Sequence, residues 1–246
     1  MRRSVHAVAG AVLVLASSAA CGDLAPVAPP EARVPTALPA VPSQSLDLEA
    51  GEATVEGFSE LERAALRIRN IGCGGVRTGS GFAIGDQVLV TNRHVVAGAT
   101  TLEVSTFDGK DIDVRTSGAA TVADLAIVRT KEKLPASITF APANPEVGQT
   151  VTAIGYPLGG PLTTTTGAVL GYRQDPVAKS ELPMLLNSAP VEHGSSGSPL
   201  VDITGELVGV VYASTGPGRN YAVPIEVLED VLGKPQSFAD ETDCDE

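Results

Sequence analysis

Tryptophan is missing from this chain of 246 residues, and aromatic residues together make up only 4% of it. Basic residues are scarce as well: 17 Lys and Arg stand against 29 Asp and Glu, a formal charge of -12. That acid excess argues against a nucleic-acid partner. Histidine and cysteine number three each, without the spacing of zinc ligands. No phosphate-binding loop or dinucleotide fingerprint is present, so neither metal nor other cofactor is expected. No apolar run is long enough for an ordinary membrane-spanning helix.

What is there is 43% hydrophobic and 19% charged, a globular composition, with 26 glycines and 18 prolines cutting it into short apolar runs. The N-terminus reads as an export signal over residues 1–20. Arg2 and Arg3 are basic, Ala7 to Ala16 is a short apolar stretch, and Ser17-Ser18-Ala19-Ala20 are small. Cys21 follows directly, as in a bacterial lipobox, although Ser18 stands where leucine is usual. The expectation is a lipidated Cys21 that anchors the exported chain to the outer face of the cytoplasmic membrane. Cys73 and Cys244 then remain as an even pair, expected to form a disulfide between the first strand of the domain and its tail. Residues 21–57, with Pro26, Pro29, Pro30, Pro35, Pro39 and Pro42, read as a tether without regular structure. The folded domain is expected over residues 58–246.

Within that domain Ser59-x-x-Glu62 predicts one capped helical turn. Short runs follow that read as strands: Leu66–Ile71, Gly79–Ile84, Val88–Asn92, Thr101–Ser105, Ile112–Ser117, Leu125–Thr130, Thr150–Gly155, Thr165–Tyr172, Leu185–Ser188, Pro199–Val201, Leu207–Tyr212 and Tyr221–Val223. Helical spacing returns only at Ile225–Leu232. The pattern is all-β, paired barrels or a sandwich, closed by a short C-terminal helix.

Three segments carry chemistry, in the order His, Asp, Ser. His94 ends Thr91-Asn92-Arg93-His94, Asp124 opens the apolar run Leu125 to Val128, and Ser196 lies in Gly194-Ser195-Ser196-Gly197-Ser198-Pro199-Leu200. A serine hydroxyl needs a base to take its proton and a third group to orient that base. His6 lies in the export signal and His193 is too near Ser196 in sequence, which leaves His94 as the base. Asp124 is expected to orient it. Asp108, Asp111 and Asp113 lie in or beside an Asp-Gly turn, where solvent or turn roles suit them, and Asp86 would serve only in a subtilisin-like α/β pattern. Gly194 and Gly197 allow a tight turn in which the N–H groups of Gly194 and Ser196 form an oxyanion hole. The α/β-hydrolase order fails, because no histidine follows Ser196.

Gly79-Ser-Gly-Phe, Thr91-Asn-Arg-His-Val-Val, Asp124-Leu-Ala-Ile-Val, Gly155-Tyr-Pro and Gly194-Ser-Ser-Gly-Ser-Pro-Leu together resemble chymotrypsin-fold serine proteases of the bacterial HtrA/Deg-like kind. The look is most like that of actinobacterial periplasmic acid-resistance proteases. The resemblance implies two six-stranded β-barrels with the triad between them and an endopeptidase acting on proteins or peptides through an acyl-enzyme. A PDZ module is not expected, since the chain ends soon after the last motif. The alternatives are a catalytically silent adaptor that binds peptides, and an acyl-transfer enzyme acting on esters.

Arg93 departs from the usual alanine and is expected to face solvent. Ser195 and Ser198 depart from the commoner Asn and Gly, and Ser198 adds bulk near the oxyanion hole. Ser195 also stands where secreted trypsins carry the aspartate that pairs with a new N-terminus, so activation of that type is not expected. Ordering of Thr163–Thr166 or Arg173–Ser180, or the Cys73–Cys244 disulfide, is the expected alternative. Alignment with the family places Pro190 at the base of the primary specificity pocket, with Val211, Tyr212 and Ala213 as one wall. Without an acid at the base, a small or medium apolar residue is expected at the cleaved position. His193, beside the site, is expected to be structural or solvated rather than a pH sensor.

Overall fold

Strand after strand in this chain buries one or both faces because the apolar residues are small and β-branched, a composition suited to pleated surfaces. The computed structural model describes residues 59–72, 74–120, 123–178 and 180–240. The expected export signal and tether, Cys21, and the Cys73–Cys244 pair lie outside the described residues. Among the described residues no helix is long and apolar enough to cross a membrane.

The domain opens with α1 (Glu60–Ala64), which bears the expected capping box: Ser59 Oγ accepts from Glu62 N–H, and the Glu62 carboxylate accepts from Ser59 N–H. The first sheet comprises β1 (Ala65–Gly72), β2 (Gly75–Gly85), β3 (Val88–Asn92), β4 (Ala99–Ser105), β5 (Asp111–Ile112), β6 (Val114–Ala120) and β7 (Leu125–Thr130). A one-turn helix α2 (Arg93–Val96) joins β3 to β4. The second comprises β8 (Thr150–Gly155), β9 (Thr163–Gln174), β10 (Pro183–Asn187), β11 (Pro199–Val201), β12 (Leu207–Ser214) and β13 (Asn220–Pro224). The chain then forms α3 (Ile225–Leu232), as the apolar spacing predicts, and β14 (Phe238–Asp240).

β8 to β13 close into a six-stranded barrel in the order β10-β13-β12-β11-β8-β9. The first half differs from a six-stranded barrel: it is an eight-stranded sheet, β14-β6-β7-β3-β2-β1-β4-β5. Two features account for the difference. The expected strand Ile112–Ser117 is broken at Asp113 into β5 and β6, which pair with different neighbours. The tail strand β14, not foreseen from three residues of mixed character, pairs along β6 with Phe238 opposite Ala120.

Each sheet has its own apolar core, one around Leu66, Ile68, Leu89 and Val128 and the other around Val151, Leu185, Leu200 and Val211. A third cluster runs between them. Phe82, Val90 and Leu125 of the first sheet meet Ile154, Val210 and Val223 of the second, with Ile225 and Leu228 of α3 sealing one side. Fully burying a side chain such as Phe82 contributes about 2–3 kcal/mol, so this middle cluster is what fixes the two sheets against each other.

Two tyrosines make the fold sensitive to base. Tyr156 is buried, donates to the Ala65 carbonyl at 3.4 Å, and has its phenol pushed up to about 12 by burial, against the opposing pull of Arg67. Tyr172 donates to the Pro145 carbonyl at 2.6 Å and is likewise pushed up to about 12, by burial first and then by Glu226. An unfolded tyrosine ionises near pH 10. The stability tied to these protons is therefore fully present below about pH 10 and is lost as pH rises toward 12. Titrating with base should give tyrosinate absorbance that rises together with loss of the far-ultraviolet dichroism in that window. Full ionisation near pH 10 with the dichroism intact would contradict the assignment.

Candidate active site

The candidate residues come from both sheets and converge on the cleft between them, a cavity of about 740 Å³ lined by His94, Asp124, Ser196, Val211, Tyr212 and Ala213 among others. β3 ends at Asn92, and α2 turns His94 out at the mouth of the cleft, where its side chain is half exposed. Asp124 sits just ahead of β7 with a left-handed backbone, φ 51°. That conformation lets one carboxylate reach two groups of the same histidine. Oδ1 accepts the His94 backbone N–H at 3.0 Å, and Oδ2 lies 2.5 Å from the ring Nδ1. A carboxylate only accepts, so Nδ1 carries the proton and Nε2 is left as the acceptor facing the cleft. The Asp124 carbonyl also receives Arg93 N–H at 2.8 Å and the Asn92 side-chain amide at 3.1 Å. Arg93 itself is partly exposed.

The rival aspartates are engaged elsewhere. Asp86 pairs with Lys133 at 3.0 Å and Asp113 with Lys131 at 3.3 Å. Asp108 takes the Thr106 hydroxyl, which holds its carboxyl below the usual range. None of the three lines the cleft.

Ser196 sits at the bottom of the loop before β11. Its hydroxyl donates to the Tyr212 carbonyl at 3.4 Å, and among the described residues no hydrogen bond joins it to His94. Such bonds are often loose without substrate. Gly197 follows with φ 86°, and a Cβ there would come 2.1 Å from the Ser80 carbonyl and 2.4 Å from Thr91 Oγ1. Gly194 has φ 90°, and a Cβ on it would stand 2.7 Å from the Tyr156 carbonyl. Both glycines are therefore required by space as well as by dihedral angle. Among the described residues the N–H groups of Gly194 and Ser196 donate to no protein acceptor.

Tyr212 forms the wall behind the histidine, with ring centroids 6.5 Å apart in an edge-on arrangement. Its hydroxyl donates to the buried Asp175 at 3.3 Å. Burial, then the carboxylates of Asp175 and Asp124, raise this phenol far above its ordinary value. Pro190 is not part of this cleft. It lines a separate cavity of about 170 Å³ behind the loop, with Ser195 and Ser198, and its carbonyl accepts from Thr165 Oγ1 at 2.7 Å. Val191 lines both cavities, so the loop itself is the partition. Ser198 also points to the rear, packed over Gly155, where a Cβ would come 1.9 Å from its hydroxyl. Its extra bulk is thus accommodated away from the Gly194 and Ser196 amides. Ser195 is buried and closes the loop locally, its N–H on the Glu192 carbonyl at 2.9 Å. Exposed His193 lines the cleft.

Sequence reasoning missed Leu158, Val177, Val191 and Ser214, which also line the cleft. Leu158 belongs to the Gly155-Tyr-Pro segment, but nothing in a lone leucine signals exposure at a cleft or its φ of 56°. Of the two expected regulatory loops, Thr163–Thr166 is strand, paired with β8 from Gly155 to Thr152, as four β-branched residues favour. In Arg173–Ser180, Arg173 and Gln174 end β9 and Pro176, Val177 and Ala178 form a turn. Among the described residues no group of three His, Cys, Asp or Glu side chains is arranged to hold a metal ion.

A closed barrel and a second sheet with a His-Asp pair facing a serine across their junction define the chymotrypsin-like class of fold. The chain belongs to the trypsin-like peptidase domain family, whose model matches residues 79–210, more than half of its length. It is 32% identical over 164 residues to a probable periplasmic serine endoprotease, DegP-like, of Hahella chejuensis, covering 64% of this chain and 35% of that protein. It is 30% identical over 166 residues to serine protease HTRA1A of Danio rerio, covering 65% of this chain and 35% of that one. The chain thus spans about a third of the length of these curated relatives. Among solved structures it is similar to the active form of the Rv3671c protease from M. tuberculosis, with TM-score 0.66, 27% identity, and coverage of 71% of this chain and 81% of that one.

Gly197→Ala should abolish any activity of the site, because its Cβ meets backbone that cannot move aside. The protein should also melt at lower temperature, by at least about 2 kcal/mol of stability. A variant with unchanged melting and turnover would show that the loop has room the structure does not give it.

Proposed function

We propose that this protein is a serine endopeptidase in which His94, Asp124 and Ser196 form the triad and the N–H groups of Gly194 and Ser196 the oxyanion hole. The observation that carries this is the Asp124–His94 pair at 2.5 Å with Ser196 in the same cleft, beside Gly194 and Ser196 N–H groups that donate to no protein acceptor among the described residues. His94 Nε2 takes the proton as Ser196 Oγ attacks a peptide carbonyl. Asp124 holds the ring and stabilises the cation that forms. The developing oxyanion accepts from Gly194 and Ser196, the intermediate collapses, and His94 returns the proton to the leaving amine. Water then enters by the same route in reverse to release the acyl group and restore Ser196.

The walls of the cleft support a small or medium apolar residue at the cleaved position. Val191, Val211 and Ala213 line it, and its acids are Asp124, engaged with His94, and exposed Glu192. Pro190 contributes no base to that pocket. The reading includes export, with residues 1–20 as signal, 21–57 as a lipid-anchored tether, and a Cys73–Cys244 disulfide. The periplasmic naming of several relatives supports the exported location.

The test is labelling of purified residues 57–246 with a fluorophosphonate probe beside Ser196→Ala and His94→Ala. Labelling of the wild type alone is expected. Asp124→Asn should lower kcat by about 10⁴-fold, since it reverses the tautomer of His94. A folded wild type that does not label would instead favour the silent peptide-binding adaptor, and turnover of esters with no cleavage of any peptide would favour the acyl-transfer reading.

A further inference from the structure

The oxyanion loop does not hold its own shape. Three successive peptide groups, 193–194, 194–195 and 195–196, each have their carbonyl tied down by a hydrogen bond. The His193 carbonyl accepts Leu158 N–H at 2.5 Å, the Gly194 carbonyl accepts the Ser80 hydroxyl at 2.8 Å, and the Ser195 carbonyl accepts Ser198 N–H at 3.0 Å. In a trans peptide the C=O and the following N–H point in opposite directions. Pinning the first and third carbonyls therefore turns the Gly194 and Ser196 N–H groups away from those anchors, where among the described residues they meet no protein acceptor, and pinning the second turns Ser195 N–H onto the Glu192 carbonyl.

Two of the three anchors come from outside the loop, and they are joined. Ser80 lies in β2 of the first sheet and is wholly buried. Its hydroxyl receives Tyr156 N–H at 2.9 Å and passes its own proton to Gly194 O, while its backbone N–H donates to Ser196 O at 2.8 Å. Tyr156 begins the turn that carries Leu158, whose backbone is left-handed and whose N–H reaches the His193 carbonyl. Every polar atom of Ser80 is spent on this region: its carbonyl takes the Thr91 hydroxyl at 2.6 Å.

We propose that Ser80 and the N–H of Leu158 are positioning groups that set the oxyanion hole, acting through the Gly194 and His193 carbonyls without touching substrate. The inference rests on the serine endopeptidase reading. It assigns to Ser80 and to Leu158 a part in rate, not in substrate binding. A loop that loses either anchor can rotate its 193–194 peptide and withdraw the Gly194 N–H, and the loss then falls on the transition state alone.

The experiment compares wild type with Ser80→Ala and with a protein carrying the hydroxy acid of leucine at position 158, in which an ester replaces the amide, removing the N–H and weakening the Pro157 carbonyl that accepts Gly160 N–H. Readouts are kcat and KM on a peptide substrate, inhibition by a peptide aldehyde whose adduct places an oxyanion in the hole, and binding of a matched non-reacting peptide. Each variant should lose on the order of 10–100-fold in kcat, with KM and the non-reacting peptide within about twofold and the aldehyde weakened by the same factor as kcat. If Ser80→Ala fails to fold, the ester protein decides alone. Folded variants with wild-type kcat and aldehyde affinity overturn the inference and leave the endopeptidase reading standing. So does equal loss of aldehyde and non-reacting peptide, which marks general loosening of the cleft. A wild type that neither labels with fluorophosphonate nor cleaves peptide overturns both.

Discussion

The seam between Ser80 and Ser196 is the constraint on which the rest of the site depends. His94 and Asp124 belong to the first sheet and Ser196 to the second, so no single sheet can place the three together. One backbone bond, Ser80 N–H to the Ser196 carbonyl at 2.8 Å, fixes the serine to the first sheet, and another, Gly197 N–H to the Val211 carbonyl at 2.9 Å, fixes the next residue to its own barrel. The loop is clamped from both sides within two residues. Gly197 has no side chain because the clamp leaves no space for one. The apolar cluster between the sheets holds the frame, and its directionless contacts leave to these hydrogen bonds the final placement of atoms.

Backbone strain collects at the same place. Among the described residues two non-glycine positions have positive φ, Asp124 at 51° and Leu158 at 56°. Each costs roughly 1–2 kcal/mol relative to ordinary backbone. Both line the cleft, and in both the unusual dihedral serves a hydrogen bond to a neighbouring functional segment: Asp124 to His94, Leu158 to the His193 carbonyl. A relaxed backbone at either position would aim the group elsewhere. Strain of this size is readily offset by a few buried side chains of the middle cluster, which is why it persists.

This division explains what could be read from the sequence. The candidate triad was legible because its chemistry demands particular residue types in recognisable local settings: a histidine after a strand, an aspartate before one, a serine among glycines. The helix Ile225–Leu232 and the Ser59 cap were legible because periodicity and capping are local. Ser80 and Leu158 were not, because their parts depend on bonds to residues 114 and 35 positions away in the chain, and neither residue type announces it. Pro190 illustrates the converse. Alignment places it in the primary pocket, but the loop turns it to the rear, where Thr165 takes its carbonyl. The tail strand β14 escaped notice for a similar reason, since three residues become a strand only through the open edge of β6.

The acid excess of the chain bears on how the oxyanion has to be stabilised. A formal charge of -12 opposes the growth of another negative charge anywhere on the molecule. That opposition is diffuse: exposed carboxylates act through water and salt, and their field fades over about 8 Å at physiological ionic strength. On the proposed reading the N–H dipoles of Gly194 and Ser196 act at hydrogen-bond distance, where loss of one such donor costs about 3–4 kcal/mol. Near donors therefore outweigh the distant acids, provided they are already in place when charge appears. The same excess raises the encounter rate of cationic segments of substrate at low salt. On the proposed reading it has no hold on which bond is cut, because the cleft residues Val191, Val211 and Ala213 carry no charge. On the proposed reading, net charge would govern arrival, the apolar walls choice, and the fixed orientation of two peptide groups rate.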